Sequence, residues 1–186
     1  MVSVWSKRPA LRVLAITAYV LAAEFARALL ATAPGVAIAA LFLGGAALAV
    51  TAVGWPPKRL GLGTTRFGLR ILGGLALAAV LIVPAAARSS AAPMLPAALA
   101  AAAVVVSVGE ELAFRGALYA ALEDAGGAQL AVVGSTAVWT IAHALSHPPE
   151  FLGAVAAAGL LLALWRWACR DLVAPIIGHV IADIVL

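Results

Sequence analysis

Apolar runs of close to twenty residues follow one another from Val13 almost to the end of the chain, parted by short turn-forming stretches. A run of that length crosses the ~30 Å hydrocarbon core of a bilayer as an α-helix, because each residue advances about 1.5 Å. Reading the windows between breakers gives about seven such segments. They are Val13–Leu30, Val36–Trp55, Leu69–Ala87, Ala97–Leu122, Ala128–Ser146, Phe151–Trp167 and Leu172–Leu186. The connections carry turn chemistry: Ala33-Pro34-Gly35, Trp55-Pro56-Pro57, Ala92-Pro93, Asp124-Ala125-Gly126-Gly127 and His147-Pro148-Pro149. Residues Pro56–Arg66 form the one loop of any size, and no internal repeat is visible.

Charged residues make up 11% of the chain and hydrophobic ones 65%, whereas soluble domains carry about 25% charged residues. The expected fold class is therefore all-α, a polytopic transmembrane helix bundle of about seven spans whose first partner is the lipid bilayer. A single integral-membrane domain is expected over 1–186. Abundant alanine and glycine let its helices approach closely. The net charge of +4 does not indicate nucleic acid, because the basic residues sort by topology. Lys7, Arg8, Arg12, Lys58, Arg59, Arg66, Arg70, Arg166 and Arg170 fall at the N-terminus or in even-numbered connections, and Arg88 alone marks the other side. Positive loops stay in the cytoplasm, so the N-terminus is expected there. Trp5, Trp55, Trp165 and Trp167 near segment ends read as an interfacial belt, and the lone Cys169 as a small buried residue. Ala31-Thr32-Ala33 resembles a signal cleavage site, but Glu24 and Arg27 interrupt the apolar run before it, so the first span is read as retained.

Topology leaves Glu24, Arg27, Glu110, Glu111, Arg115, His143, His179 and Asp183 unexplained. A charge inside a membrane costs roughly 2.5–3.5 kcal/mol on insertion scales, so each of these needs a partner or a use. Glu111 and Arg115 stand four apart, on one helix face, and are expected to pair. Glu110 is about 100° around the helix from its neighbour and left for chemistry. His179 and Asp183 are also four apart, so the carboxyl group is placed to orient the imidazole or stabilise its charged form. Counting from the turn at Asp124–Gly127 puts Glu110 and His143 within ~3–5 Å of the same depth. Glu24 and Arg27, three apart, are expected to neutralise each other within the first span. His147, beside Pro148-Pro149, reads as an interfacial loop residue.

Glu110-Glu111-Leu112-Ala113-Phe114-Arg115-Gly116 resembles the EExxxR signature of the CPBP family, which includes CAAX endopeptidases and bacteriocin-processing or immunity proteins. Trp139-Thr140-Ile141-Ala142-His143 is similar to its second motif, an aromatic residue shortly ahead of a histidine. His179-Val180-Ile181-Ala182-Asp183, approached through Leu172-Val173-Ala174-Pro175-Ile176, is similar to the third. The resemblance implies an intramembrane endopeptidase whose catalytic helices are 97–186. Glu110 would be the general base, His143 would help it activate water, and His179 with Asp183 would stabilise the oxyanion. Glu111 and Arg115 would hold the site together. Two departures are visible: Trp139 stands where phenylalanine is commoner, and Asp183 where CAAX enzymes typically carry asparagine, a direct hydrogen-bond donor.

Cofactor and substrate stay open at this level. Glu110, His143 and His179 would make a His₂Glu zinc site with one open position, while a glutamate-base mechanism uses every residue with no cofactor and is preferred. The substrate expected is a membrane-anchored protein or peptide: a prenylated CAAX tail, a bacteriocin leader, or a C-terminal anchor or sorting signal, the last preferred. The chain is Ala-rich and ends three residues after Asp183, which resembles short bacterial members, so a bacterial inner membrane is the expected location. The competing readings are a non-catalytic scaffold or immunity protein, and a proton-coupled transporter using the buried Glu and His.

Overall fold

A computed structural model describes residues 8–32, 34–86 and 95–185. All regular structure among them is helical: α1 (Pro9–Leu30), α2 (Pro34–Ala49), a short α3 (Pro57–Leu60), α4 (Phe67–Ala86), α5 (Ala97–Glu110), α6 (Tyr119–Ala142), α7 (Leu152–Cys169) and α8 (Val173–Val185). Lys7, Trp5, Arg88 and Ala92-Pro93, used above to read orientation and turns, lie outside the described residues. The chain forms an all-α bundle, and among the described residues four stretches are long and apolar enough to cross a membrane: Pro9–Leu30, Gly35–Ala52, Ala97–Leu145 and Pro149–Cys169. Phe67–Val83 and Val173–Val185 are apolar but shorter. Large apolar side chains face outward, while the apolar core also encloses several charged ones. Leu43 is 71% exposed and Val53 78%, whereas Arg115, wholly buried, is among the largest enclosed side chains.

Local chemistry explains most boundaries. Proline at the first position starts α1 and α3, where its missing N–H costs nothing. Gly61 closes α3 with φ +81°, and Leu62 N–H returns to the Pro57 carbonyl at 2.8 Å. The loop expected over Pro56–Arg66 therefore contains a helical turn. The segments expected at Ala97–Leu122 and Ala128–Ser146 run through one helical stretch, broken where Gly126 (φ −159°) and Gly127 (φ +81°) leave helical geometry. Asp171 begins α8 by accepting from the N–H groups of Val173 and Ala174 at 3.0 and 3.1 Å.

Many of the basic residues read as topology markers are tied down at one end of the bundle. Arg12 and Arg59 both pair with Asp124, and Arg70 pairs with Asp171 at 3.0 Å. Arg166 departs furthest from a loop role. It is 4% exposed, and it donates to the carbonyls of Arg115 and Arg59 at 3.2 and 2.8 Å. Trp165 likewise donates to Asp171 at 3.3 Å. Cys169, expected to be buried, is exposed.

Helix α2 packs on α5, α4 on α8, and α6 on both α1 and α7. Glycine permits the closest of these contacts. A Cβ added at Gly109 would lie 2.1 Å from the Gly45 carbonyl oxygen, and one at Gly45 would lie 2.5 Å from that of Val105. The backbone immediately before the two glutamates is thus pressed against α2. Gly109→Ala is expected to lower stability by ~1–3 kcal/mol through overpacking, read as a lower thermal unfolding midpoint of the purified protein. Gly153→Ala, where a Cβ meets nothing within 4 Å, should leave that midpoint unchanged.

Candidate active site

Between α5 and α6 the helix widens into π-type turns over Glu111–Leu118, and the Tyr119 N–H reaches back five residues to the Phe114 carbonyl. Such turns interrupt the regular ladder and recur at functional sites. Arg166 satisfies one carbonyl of this stretch, that of Arg115. The acidic pair stands at the start of the widened segment, so Glu110 and Glu111 are both buried yet meet different surroundings.

Glu111 Oε1 accepts from Arg115 Nη1 at 3.0 Å, the ion pair expected from their spacing. Arg115 also donates to the Gly159 carbonyl at 3.2 Å and lies over the Trp139 ring, 4.2 Å from its centroid. His179 Nδ1 lies 3.0 Å from the same Glu111 oxygen. Glu111 therefore joins α8 to the site as well as holding Arg115, a link that four-residue spacing within one helix cannot reveal.

Glu110 faces away from that pair and draws its partners from other helices. Trp139 Nε1 donates to Glu110 Oε2 at 2.9 Å, and His143 Nε2 lies 3.7 Å from the same oxygen. The agreement in depth counted along the hairpin is met. His143 Nδ1 sits 2.8 Å from the Trp139 carbonyl. A carbonyl only accepts, so in the neutral ring Nδ1 carries the proton and Nε2 presents a lone pair toward Glu110. The substitution of tryptophan for phenylalanine does more than alter packing, because it adds a donor aimed at the carboxylate. Trp139→Phe removes one charge-assisted hydrogen bond, worth ~1.5–3 kcal/mol. It is expected to lower kcat about 10- to 100-fold in a peptide-cleavage assay and to lower the unfolding temperature by a few degrees.

His179 Nε2 lies 3.4 Å from Asp183 Oδ2, which in turn is 2.7 Å from Ser107 Oγ. Both nitrogens of His179 thus face carboxylates, matching the two donors of a protonated ring. Ser107, fully buried on α5, is a site residue the sequence reading missed; a lone serine in an apolar helix carries no signal of its own. Arg27 reaches further than its spacing from Glu24 indicates. It pairs with Glu24 as expected, but its Nη2 lies 3.5 Å from Glu110 Oε1, so the first span reaches the site.

Arg27, Glu110, Trp139, His143, His179 and Asp183 line a cavity of about 640 Å³ whose wall is otherwise mostly apolar, with Val80, Leu81, Leu99 and Leu161 among its residues. His147, read as an interfacial loop residue, lines it too, its ring stacked on Phe151 at 5.4 Å. The zinc site considered above would draw on Glu110, His143 and His179. Toward such a site His179 could offer only Nε2, since Glu111 holds Nδ1 at 3.0 Å. Among the described residues no group of three or more His, Cys, Asp or Glu side chains is arranged to hold a metal ion.

The family described as type II CAAX prenyl endopeptidase Rce1-like matches residues 92–185, just over half of the chain. The chain belongs to this family. No curated protein and no solved structure matches it. The Rce1-like region takes in α5, the widened turns, α6, α7 and α8, and with them Glu110, Glu111, Arg115, Trp139, His143, His179 and Asp183. Membership, together with the apolar helices, makes this a multi-pass membrane protein of the CAAX-type endopeptidase family. Glu24 and Arg27 lie outside the Rce1-like region.

Proposed function

We propose that the chain is an intramembrane endopeptidase that cleaves a membrane-associated protein or peptide by a glutamate-base mechanism. The observation that carries this reading is Glu110 at the wall of the apolar cavity, with His143 Nε2 3.7 Å from its Oε2. That separation suits a water bridged between carboxylate and imidazole. Glu110 takes a proton from the water, and the hydroxide oxygen bonds to the scissile carbonyl carbon. His179, held at Nδ1 by Glu111, stabilises the oxyanion through Nε2–H, whose long 3.4 Å contact with Asp183 is given up as the oxyanion forms. Collapse of the intermediate breaks the C–N bond, and Glu110 returns its proton to the leaving nitrogen. Preorganised charge of this kind is worth most where water is excluded.

The substrate class is one whose apolar part can enter the cavity. Processing of a C-terminal anchor or sorting signal is the preferred form, with the N-terminus of the enzyme in the cytoplasm of a bacterial cell. Glu110→Gln and His143→Ala variants in the host membrane test the reading. Accumulation of an uncleaved precursor in both is the expected result. Unchanged processing in both, with a phenotype that still depends on the protein, overturns it.

A further inference from the structure

Arg27 reaches Glu110 through an arrangement that three helices make together. Glu24, fully buried one turn earlier on α1, holds the guanidinium, and Arg27 itself is only 10% exposed. The stem of Arg27 crosses to α5 over Gly44 of α2, where a Cβ would meet Arg27 Cδ at 2.8 Å. Any larger residue at 44 would block that path. Nη2 then stands 3.5 Å from Glu110 Oε1, while Trp139 and His143 take Oε2. The two carboxylate oxygens therefore have different jobs: one is held by a fixed cation, the other faces the imidazole and the cavity. An arginine tied to a second acid at its own helix is a poor ligand for a substrate anion but a good clamp.

We propose that Arg27, braced by Glu24 and admitted by Gly44, is a positioning residue for Glu110, holding Oε1 so that Oε2 is aimed at His143. This rests on the peptidase reading of Glu110. Misplacement of a reacting group by about 1 Å costs on the order of 100-fold in rate. The test uses the full chain in lipid nanodiscs, with a quenched-fluorescent peptide ending in a prenylated CAAX sequence as probe. Arg27→Gln is expected to lower kcat about 100-fold with KM nearly unchanged, and Arg27→Lys to recover a large part of it.

A second readout does not depend on turnover. The indole N–H resonance of Trp139, assigned through Trp139→Phe, should move in Arg27→Gln and return toward its original position in Arg27→Lys. A turnover loss under threefold in Arg27→Gln with Glu110→Gln inactive overturns the clamp and leaves the peptidase reading standing. Should the wild type not cleave the probe, the peptide-cleaving reading fails for that substrate class and the indole resonance alone decides the clamp. An unmoved resonance then overturns it. Loss of folding in Arg27→Gln shifts the decision to Gly44→Leu, expected to displace Arg27 and reproduce both effects; no effect on either readout overturns the proposal.

Discussion

Glu110→Gln is expected to lower peptide-bond hydrolysis by about 10²–10⁴-fold, the usual range for a lost general base. The unfolding temperature should barely change. Glutamine keeps the shape and an oxygen for the Trp139 indole, which lies 2.9 Å from the native carboxylate. Arg27 keeps Glu24 as its partner. What disappears is the proton acceptor 3.7 Å from His143. Single-turnover cleavage of the prenylated peptide, with thermal unfolding measured on the same preparation, separates chemistry from folding. A variant that still turns over within tenfold of wild type removes Glu110 from the role of base.

The second large effect is on stability. Arg115→Met should destabilise the bundle by ~2–3 kcal/mol, less than the full cost of a buried charge stripped of every partner, because His179 Nδ1 still stands 3.0 Å from Glu111. Both members of the Arg115–Glu111 pair are fully buried, and no water reaches Glu111 to replace the guanidinium. Arg115 also gives up its contacts with the Gly159 carbonyl and the Trp139 ring. Adding Glu111→Gln to Arg115→Met should restore part of the loss, because a neutral amide is cheaper to bury than a carboxylate that has lost its guanidinium. Thermal unfolding in detergent reads both variants. If Arg115→Met melts beside the wild type, Glu111 is not dependent on that ion pair.

Local periodicity carried much of the site. Glu111 with Arg115 and His179 with Asp183 share a helix face by spacing alone, and both pairs are in contact. The level of His143 followed from counting residues on either side of one hairpin. Arg27, Trp139 and Ser107 escaped that logic. Their importance depends on atoms contributed by another helix, and spacing within a helix says nothing of its azimuth toward a neighbour. Arg166 shows the same limit from the other direction: a basic residue near a segment end satisfies the positive-inside pattern equally well whether it faces solvent or donates to two buried carbonyls.

The amino-acid order by itself determined that this chain is an all-α membrane bundle. Apolar runs near the bilayer thickness, parted by Pro and Gly, admit no soluble alternative. It also determined which residues were too costly to be idle, since charge in hydrocarbon must be paired or used. Only the tertiary structure decided how Glu110 is surrounded. The approach of α2 to α5 at Gly45 and Gly109, the path over Gly44 and the turn of Trp139 toward the carboxylate all depend on how helices distant in sequence meet. Packing between helices sets those meetings, and a periodicity of 3.6 residues within one helix cannot encode them.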